Sequence, residues 1–238
     1  MRLERLLAKF RMMGRSKARE CIAGKRVIVG ERIATDWREE VDRFSAVTLD
    51  GADVQPASRR LCLMLNKPVG VLSATKDAKH RTVLDLIDDH DKDSLHLVGR
   101  LDINTSGLVL LTNDGRWSKA LMHPDQKVPK VYHVTTQEPI PLDAAAKFAD
   151  GFYFKTEDIV TQPVELVILT ENTARVTLRE GRYRQVRRMF HRVGNQVVAL
   201  HRESIGKIAL PEDLAVGTWR VLRPELTTVV RAAGAEVK

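Results

Sequence analysis

The chain has 238 residues, 43% of them hydrophobic and 29% charged, with two cysteines, Cys21 and Cys62. That composition excludes a disulfide-stapled scaffold and a disordered polymer, and with no run approaching 18 apolar residues it also excludes a membrane-spanning helix. The 39 Lys and Arg against 31 Asp and Glu leave a net charge of +8, which favours polyanionic partners.

The first predicted helix carries Leu3, Leu6, Leu7 and Phe10 at helical spacing. A second is expected from Ser16 as N-cap, burying Ala18, Cys21 and Ile22 and stopping at Gly24. Val27 to Val29, Gly30 and Ile33-Ala34 read as a short hairpin, and Val47 to Leu49 as a closing strand. Met1 to Arg32 holds ten Lys and Arg against three Glu, a local charge of +7. Residues 1–55 are thus expected to form a small helix-helix-strand domain, joined by a linker reaching about residue 60. The run Met1 to Arg5 lacks the apolar core of a secretion signal, and two isolated thiols suit a reducing compartment, so the expected location is the cytoplasm.

From residue 61 strands dominate. Leu61 to Leu65 reads as a buried strand ended by a turn at Asn66-Lys67-Pro68-Val69-Gly70, and Thr82 as the cap of a short helix. Leu95 to Val98 and Leu108 to Thr112 flank the run Gly99 to Gly107, and a helix is predicted from Arg116 to Met122. Strands follow at Tyr132 to Thr135, Pro163 to Leu169, Ala174 to Leu178, Val197 to Leu200 and Trp219 to Leu222, with helices over 142–149 and 184–193. This order predicts an α+β domain over 61–238, built on a mixed, mainly antiparallel sheet flanked by short helices.

Two features carry chemistry. Asp102 lies on the connection Gly99 to Gly107, and loop residues held by rigid neighbours are where catalytic groups concentrate. Taken alone, a loop aspartate is more commonly a turn former. The second is the stretch Arg179 to Arg192, six Arg against one Glu, where Val186, Met189, Phe190 and Val193 form one helix face and Arg184, Arg187 and His191 another. The seven histidines form no metal-ligand spacing, so no metal site is expected, and Gly99 to Gly107 lacks the spacing of a phosphate-cradling loop.

Residues 1–48 resemble the small RNA-binding fold of ribosomal protein S-four, through Arg-Leu-x-x-Leu-Leu-Ala, Gly-Arg-Ser-Lys-Ala-Arg and Ile-x-x-Gly-x-Val-x-Val-Gly. Three further stretches, 99–115, 129–134 and 180–190, together resemble the signature of pseudouridine synthases, in the branch that modifies ribosomal RNA at single sites. Leu-Asn-Lys-Pro-x-Gly (65–70) and Leu-His-Arg-Glu-Ser-Ile-Gly (200–206) extend the likeness over nearly the whole chain. The latter and Asp-Gly-Arg-Trp-Ser (114–118) read most like the members that act on small-subunit (16S) rRNA.

The resemblance implies that Asp102 is the catalytic aspartate, Tyr132 the active-site tyrosine, and Arg187 the basic residue paired with Asp102. It implies a substrate-binding set of Arg100, Leu200, Arg184 and Gln185, with Arg184 departing from the histidine of many relatives. Arg15, Lys17, Arg19, Lys25, Arg26 and Arg188 are the expected RNA contacts. Isomerising uridine keeps every atom, so no cofactor is expected. The implied partner is ribosomal RNA within an assembly intermediate, bound by a monomer and without a membrane. An enzyme of large-subunit rRNA, which would share the core motifs, and a non-catalytic rRNA-binding assembly factor stand as alternatives.

Overall fold

Leu3 and Leu7 lie one turn apart and both are fully buried, so the first helix forms around a single apolar stripe. It spans Leu3–Lys9 (α1), and after a 3-10 turn at Phe10–Met12 comes α2, Gly14–Ala23. The computed structural model describes residues 1–228, which divide between Arg60 and Leu61 into two compact units.

In the first unit Ala18, Cys21 and Ile22 of α2 meet Leu3 and Leu7, as their spacing predicts. Ser16 does not cap α2. The helix begins two residues earlier, because Met12 and Gly14, at φ 51° and 76°, turn the chain sharply between the helices. The core is completed by Val27 and Val29 of β1 (Val27–Val29) and by Val47 and Leu49 of β3 (Val47–Leu49). These strands join β2 (Arg32–Ile33) and β4 (Ala52–Gln55) in a sheet ordered β2-β1-β3-β4.

Strand β4 falls where the sequence reading placed no strand, after the closing strand at Leu49. Asp50 and Gly51 sit at φ 52° and 78°, the paired positive angles of a two-residue type I′ turn, and Leu49 pairs with Ala52 across it. The chain therefore folds straight back, and the extended connection runs over residues 56–60.

The second unit is α+β. Its strands are β5 (Cys62–Lys67), β6 (His96–Val98), β7 (Ser106–Thr112), β8 (Lys130–Thr136), β9 (Tyr153–Phe154), β10 (Ile159–Val160), β11 (Glu165–Thr170), β12 (Thr173–Leu178), β13 (Val197–Ile205), β14 (Ile208–Ala209) and β15 (Trp219–Val221). All but the β9–β10 hairpin join one sheet, ordered β11-β12-β8-β13-β7-β5-β15, with β6 on β7 and β14 on β13. Only β13 and β7 pair in parallel, so the sheet is mixed and mainly antiparallel, as the pattern predicts.

Helices α3 (Gly115–Met122) and α5 (Gln185–Arg192) cover opposite faces of the central strands; α4 (Ala144–Asp150) lies on the α5 side and α6 (Pro224–Thr228) follows β15. Leu63, Leu65, Val109 and Leu111 face Phe148 and Phe190, whereas Cys62, Met64, Leu108 and Leu110 face Trp117 and Leu121. Burial on both faces explains why β5 and β7 read as continuous apolar runs instead of alternating ones.

Several boundaries shift for physical reasons. β5 runs through Asn66 to Lys67, both buried, where a turn was expected. Thr82 caps no α-helix: its N–H and hydroxyl both donate to the Asp85 carboxylate, at 2.8 and 2.9 Å, and only one 3-10 turn follows. Asp114 is the N-cap of α3, accepting from the N–H groups of Arg116 and Trp117 at 2.9 and 3.2 Å.

At the parallel pair Arg202 lies opposite Gly107, whose φ is 104°. A Cβ there would stand 2.4 Å from the Arg202 carbonyl oxygen, so the two strands can meet only over glycine. Gly107→Ala is expected to destabilise this unit by about 3 kcal/mol in urea unfolding, through overpacking and strain together. Gly217→Ala, at φ 83° with open space around it, should cost about 1 kcal/mol for strain alone. Equal losses would show that the close approach at Gly107 does not matter.

Candidate active site

The loop from Gly99 to Thr105 joins β6 to β7, and its main chain is bonded carbonyl by carbonyl. Lys67, the fully buried last residue of β5, extends its ammonium beneath the loop. Its Nζ donates to the carbonyls of Thr105 at 2.8 Å, Pro68 at 2.9 Å and Asp102 at 3.2 Å, and stands 3.5 Å from that of Ile103. Arg202, itself buried on β13, donates from Nε to Leu108 O at 2.8 Å and from Nη1 to Arg100 O at 3.4 Å. The Ser73 hydroxyl donates to Leu101 O at 2.7 Å, Gly70 N–H donates to Ile103 O at 2.8 Å, and Arg187 Nη2 donates to Asn104 O at 2.9 Å. Six successive carbonyls, Arg100 to Thr105, thus have donors, and those of Arg100, Asp102, Asn104 and Thr105 are met by cationic side chains.

With its backbone held this way, Asp102 presents its carboxylate to a cleft of about 960 Å³. The carboxylate is one-third exposed, at 33%. The guanidinium beside it is that of Arg184, whose Nε lies 4.0 Å from Oδ2. Arg184 occupies the N-cap position of α5 in a left-handed conformation, φ 48°, which turns the chain into the helix. Tyr132 and Leu200 form the apolar wall; both are buried, and their strands β8 and β13 are neighbours in the sheet. Arg100 stands exposed at the rim.

The expected pairing of Arg187 with Asp102 is not the ion pair found. Arg187 lies outside the cleft lining, and its fork is held by two carbonyls, Asn104 O and, at 2.8 Å from Nη1, Val197 O. Burial first, and then the Arg184 charge, push its guanidinium below the usual value, while Asp102 pulls the other way. Gln185 lines the cleft but is tied within its own loop: its amide donates to Glu180 at 2.7 Å and accepts from Arg182 N–H at 3.2 Å. Arg188, expected to meet RNA, grips Glu157 with both nitrogens at 2.6 and 2.8 Å and stacks 3.6 Å over the Phe154 ring, anchoring the β9–β10 hairpin.

In the first unit Arg19 is bonded to buried Glu4 at 2.6 Å and lies over Trp37, Arg26 pairs with Asp50, and Lys17 pairs with Glu20 at 3.2 Å. Arg15 and Lys25 are exposed on the same unit. Part of the +7 patch is therefore compensated internally, and its surplus charge is smaller than the count suggests.

Sequence reading missed Lys67, Arg202 and Ser73. A signal existed for the first two. Lys67 ends an unbroken buried run, and Arg202 falls two residues after Leu200 on one strand, hence on the same face. Ser73 had no such signal. Among the described residues Asp89, His90 and Asp91 form the one grouping of potential metal ligands, and none of them lines this cleft.

A family model described as RNA pseudouridylate synthase matches residues 62–192, the span that contains Asp102, Tyr132 and Arg187. The chain belongs to the RNA pseudouridylate synthase family. Among its curated relatives, the ribosomal small subunit pseudouridine synthase A of Pseudomonas aeruginosa is 45% identical over 225 residues, covering 94% of this chain and 98% of the relative. The protein of the same name from Escherichia coli K12 is 41% identical over 225 residues, covering 94% and 97%. A solved pseudouridylate synthase superposes with a TM-score of 0.70 at 33% identity, over 97% of this chain and 99% of that one. The family model thus falls within the second unit and contains the carbonyl-bound loop.

Burial lowers the Lys67 ammonium from an ordinary 10.5 to about 8, with Asp102 resisting the fall and Arg202 adding to it. The folded chain releases this proton near pH 8 and the unfolded chain near 10.5, so between those values the unfolded state binds more protons and rising pH favours the fold. Lys67→Met should lower the melting temperature at pH 7 by about 6–10 °C, because several buried carbonyls lose their donor. The gap between wild type and variant should widen as pH rises through that window. A constant gap would show that Lys67 is not a buried cation.

Proposed function

We propose that this chain isomerises one uridine of small-subunit (16S) ribosomal RNA to pseudouridine, with Asp102 acting on the ribose. The observation that carries the reading is the Asp102 carboxylate, fixed by its main chain and open to a cleft walled by Tyr132 and Leu200. Near-complete coverage of relatives named for the small subunit supports that choice of RNA over the large subunit.

The reaction breaks the bond between uracil N1 and ribose C1′, turns the base, and joins C5 to C1′. C5 gives up a proton and N1 ends with one, so atoms and electrons balance within the nucleoside. The protein must hold the ribose against a carboxylate and keep the detached uracil from escaping. Asp102 meets the first need, and the buried ring of Tyr132 with Leu200 gives a flat apolar wall against which uracil can turn. Arg184 is the cation that steadies the carboxylate, and Arg187 supports the same loop from behind. A uridine in structured RNA must leave its stack to enter, which costs a few kcal/mol by general experience of base flipping. Arg100 at the rim is placed to fill the vacated space.

The first unit, with Arg15 and Lys25 on its surface, is read as the dock for ribosomal RNA in an assembly intermediate. A monomer is the proposed working form. No helix among the described residues is long and apolar enough to cross a membrane, and the cytoplasm, where ribosomal RNA is assembled, is the proposed location.

Asp102→Asn keeps the shape of the side chain and removes its charge. It should lower tritium release from C5-labelled uridine in 16S rRNA by about 10³-fold or more while leaving RNA affinity within about twofold. Turnover that survives the substitution would remove Asp102 from the chemistry. Mapping pseudouridines in rRNA from cells with and without the protein should reveal one lost site in the small subunit. A loss in the large subunit instead would overturn the assignment of the RNA.

A further inference from the structure

The segment from Ser73 to Arg81 lies outside the sheet, and beyond Ser73 it has been given no role above. Leu72 N–H donates to Arg81 O and Val83 N–H to Leu72 O, each at 2.9 Å, so two main-chain bonds close its neck. Surface loops pinned in this way are a recurrent functional form. Residues 75–81 are all exposed, and they carry Lys76, Lys79, His80 and Arg81 against a single acid, Asp77. That acid is turned inward: one oxygen accepts from the N–H groups of Lys79 and His80, at 2.9 and 2.8 Å, and meets the His80 ring at 3.1 Å. Asp77 therefore shapes the tip. Lys76 and Lys79 have no ion-pair partner among the described residues, while Arg81 lies in the field of Asp85.

The near end of the loop reaches the active site. Ser73 lines the Asp102 cleft, and its hydroxyl bridges both polar groups of Leu101, donating to the carbonyl at 2.7 Å and accepting from the N–H at 3.0 Å. Leu101 directly precedes Asp102, so one side chain fixes the peptide groups on the upstream side of the carboxylate. A basic, solvent-facing tip and the main chain of the proposed nucleophile are thus two ends of one nine-residue loop.

We propose that the 73–81 loop is a second contact for the RNA backbone at the rim of the cleft, with Lys76 and Lys79 meeting phosphates, and that Ser73 is a positioning residue tying this contact to Asp102. The proposal rests on the reading of the cleft as the site of uridine isomerisation. Lysine suits the tip because it is a mobile point charge that can follow a phosphate without a fixed angle. Ser73 matters because a misplacement of about 1 Å at a reacting group can cost on the order of 10²-fold in rate.

Two arms test it. In an Asp102→Asn background, titration of small-subunit rRNA over a range of salt concentrations reads binding alone. Lys76→Ala with Lys79→Ala should weaken affinity at least about fivefold and make the salt dependence shallower by about 1.5 in log-log slope, the amount expected for two lost phosphate contacts. Unchanged affinity and slope would overturn the contact. With Asp102 intact, Ser73→Ala should slow single-turnover pseudouridine formation at saturating RNA about tenfold or more, with affinity unchanged, and Ser73→Thr, which keeps the hydroxyl, should restore most of the rate. No slowing, or equal slowing in both variants, would overturn the coupling. Absence of pseudouridine formation by the unsubstituted protein on the same RNA would instead sink the isomerase reading and the Ser73 coupling with it, while the binding arm would still decide the contact.

Discussion

The proposed active site depends on cations bonded to main-chain carbonyls. Lys67, Arg202 and Arg187 pass beneath or behind the Asp102 loop and satisfy Arg100, Asp102, Asn104 and Thr105, and Ser73 and Gly70 complete the row. A buried ammonium without a carboxylate partner is costly, and here it is offset by three carbonyl dipoles within hydrogen-bond range. The same bonds remove the freedom a surface loop normally has. Asp102 is therefore precise for a reason that lies in its backbone, and its side chain is left open to the cleft.

This arrangement also sets the electrostatics of the cleft floor. Lys67 and Arg187 lie behind the loop, and Arg184 and Arg202 line the cleft, so more positive than negative charge surrounds the Asp102 carboxylate. Crowding is visible in the guanidinium of Arg187, which burial and Arg184 both push below its usual value. One Nη of Arg202 and the Nε of Arg187 are buried without protein partners among the described residues. These cations are desolvated and oriented by the fold, and preorganised charge of this kind acts on its surroundings more strongly than the same charge in water.

Much of this architecture was legible from period and punctuation. Buried runs located β5 and β7, the 3.6 spacing of Val186, Met189 and Phe190 located α5, and the order of elements implied an α+β unit. The misses share a cause: the chain used polar residues where pattern alone suggests an end. Lys67 reads as the start of a turn but finishes a strand, and Asp50-Gly51 reads as loop but reverses a hairpin. At the site, Asp102, Tyr132 and Leu200 could be brought together from sequence resemblance, and they do line one cleft. Which arginine faces Asp102 could not be read, because it turns on the left-handed backbone at Arg184, a property local sequence does not announce. The bonds of Arg188 to Glu157 and of Gln185 to Glu180 could not be read either, because polar residues on a basic helix carry no sign of which neighbours they meet.

A loop held through its carbonyls has side chains that are not needed to hold it. Arg100, Ile103 and Asn104 are exposed around Asp102, and the bonds that position the carboxylate run through their backbones. Substitution at these three positions can alter how the rim meets a particular RNA while the carboxylate stays in place. Under the proposed function, target preference and chemistry are separable variables within one stretch of chain, so a lineage could acquire a new target nucleotide without rebuilding its reaction centre.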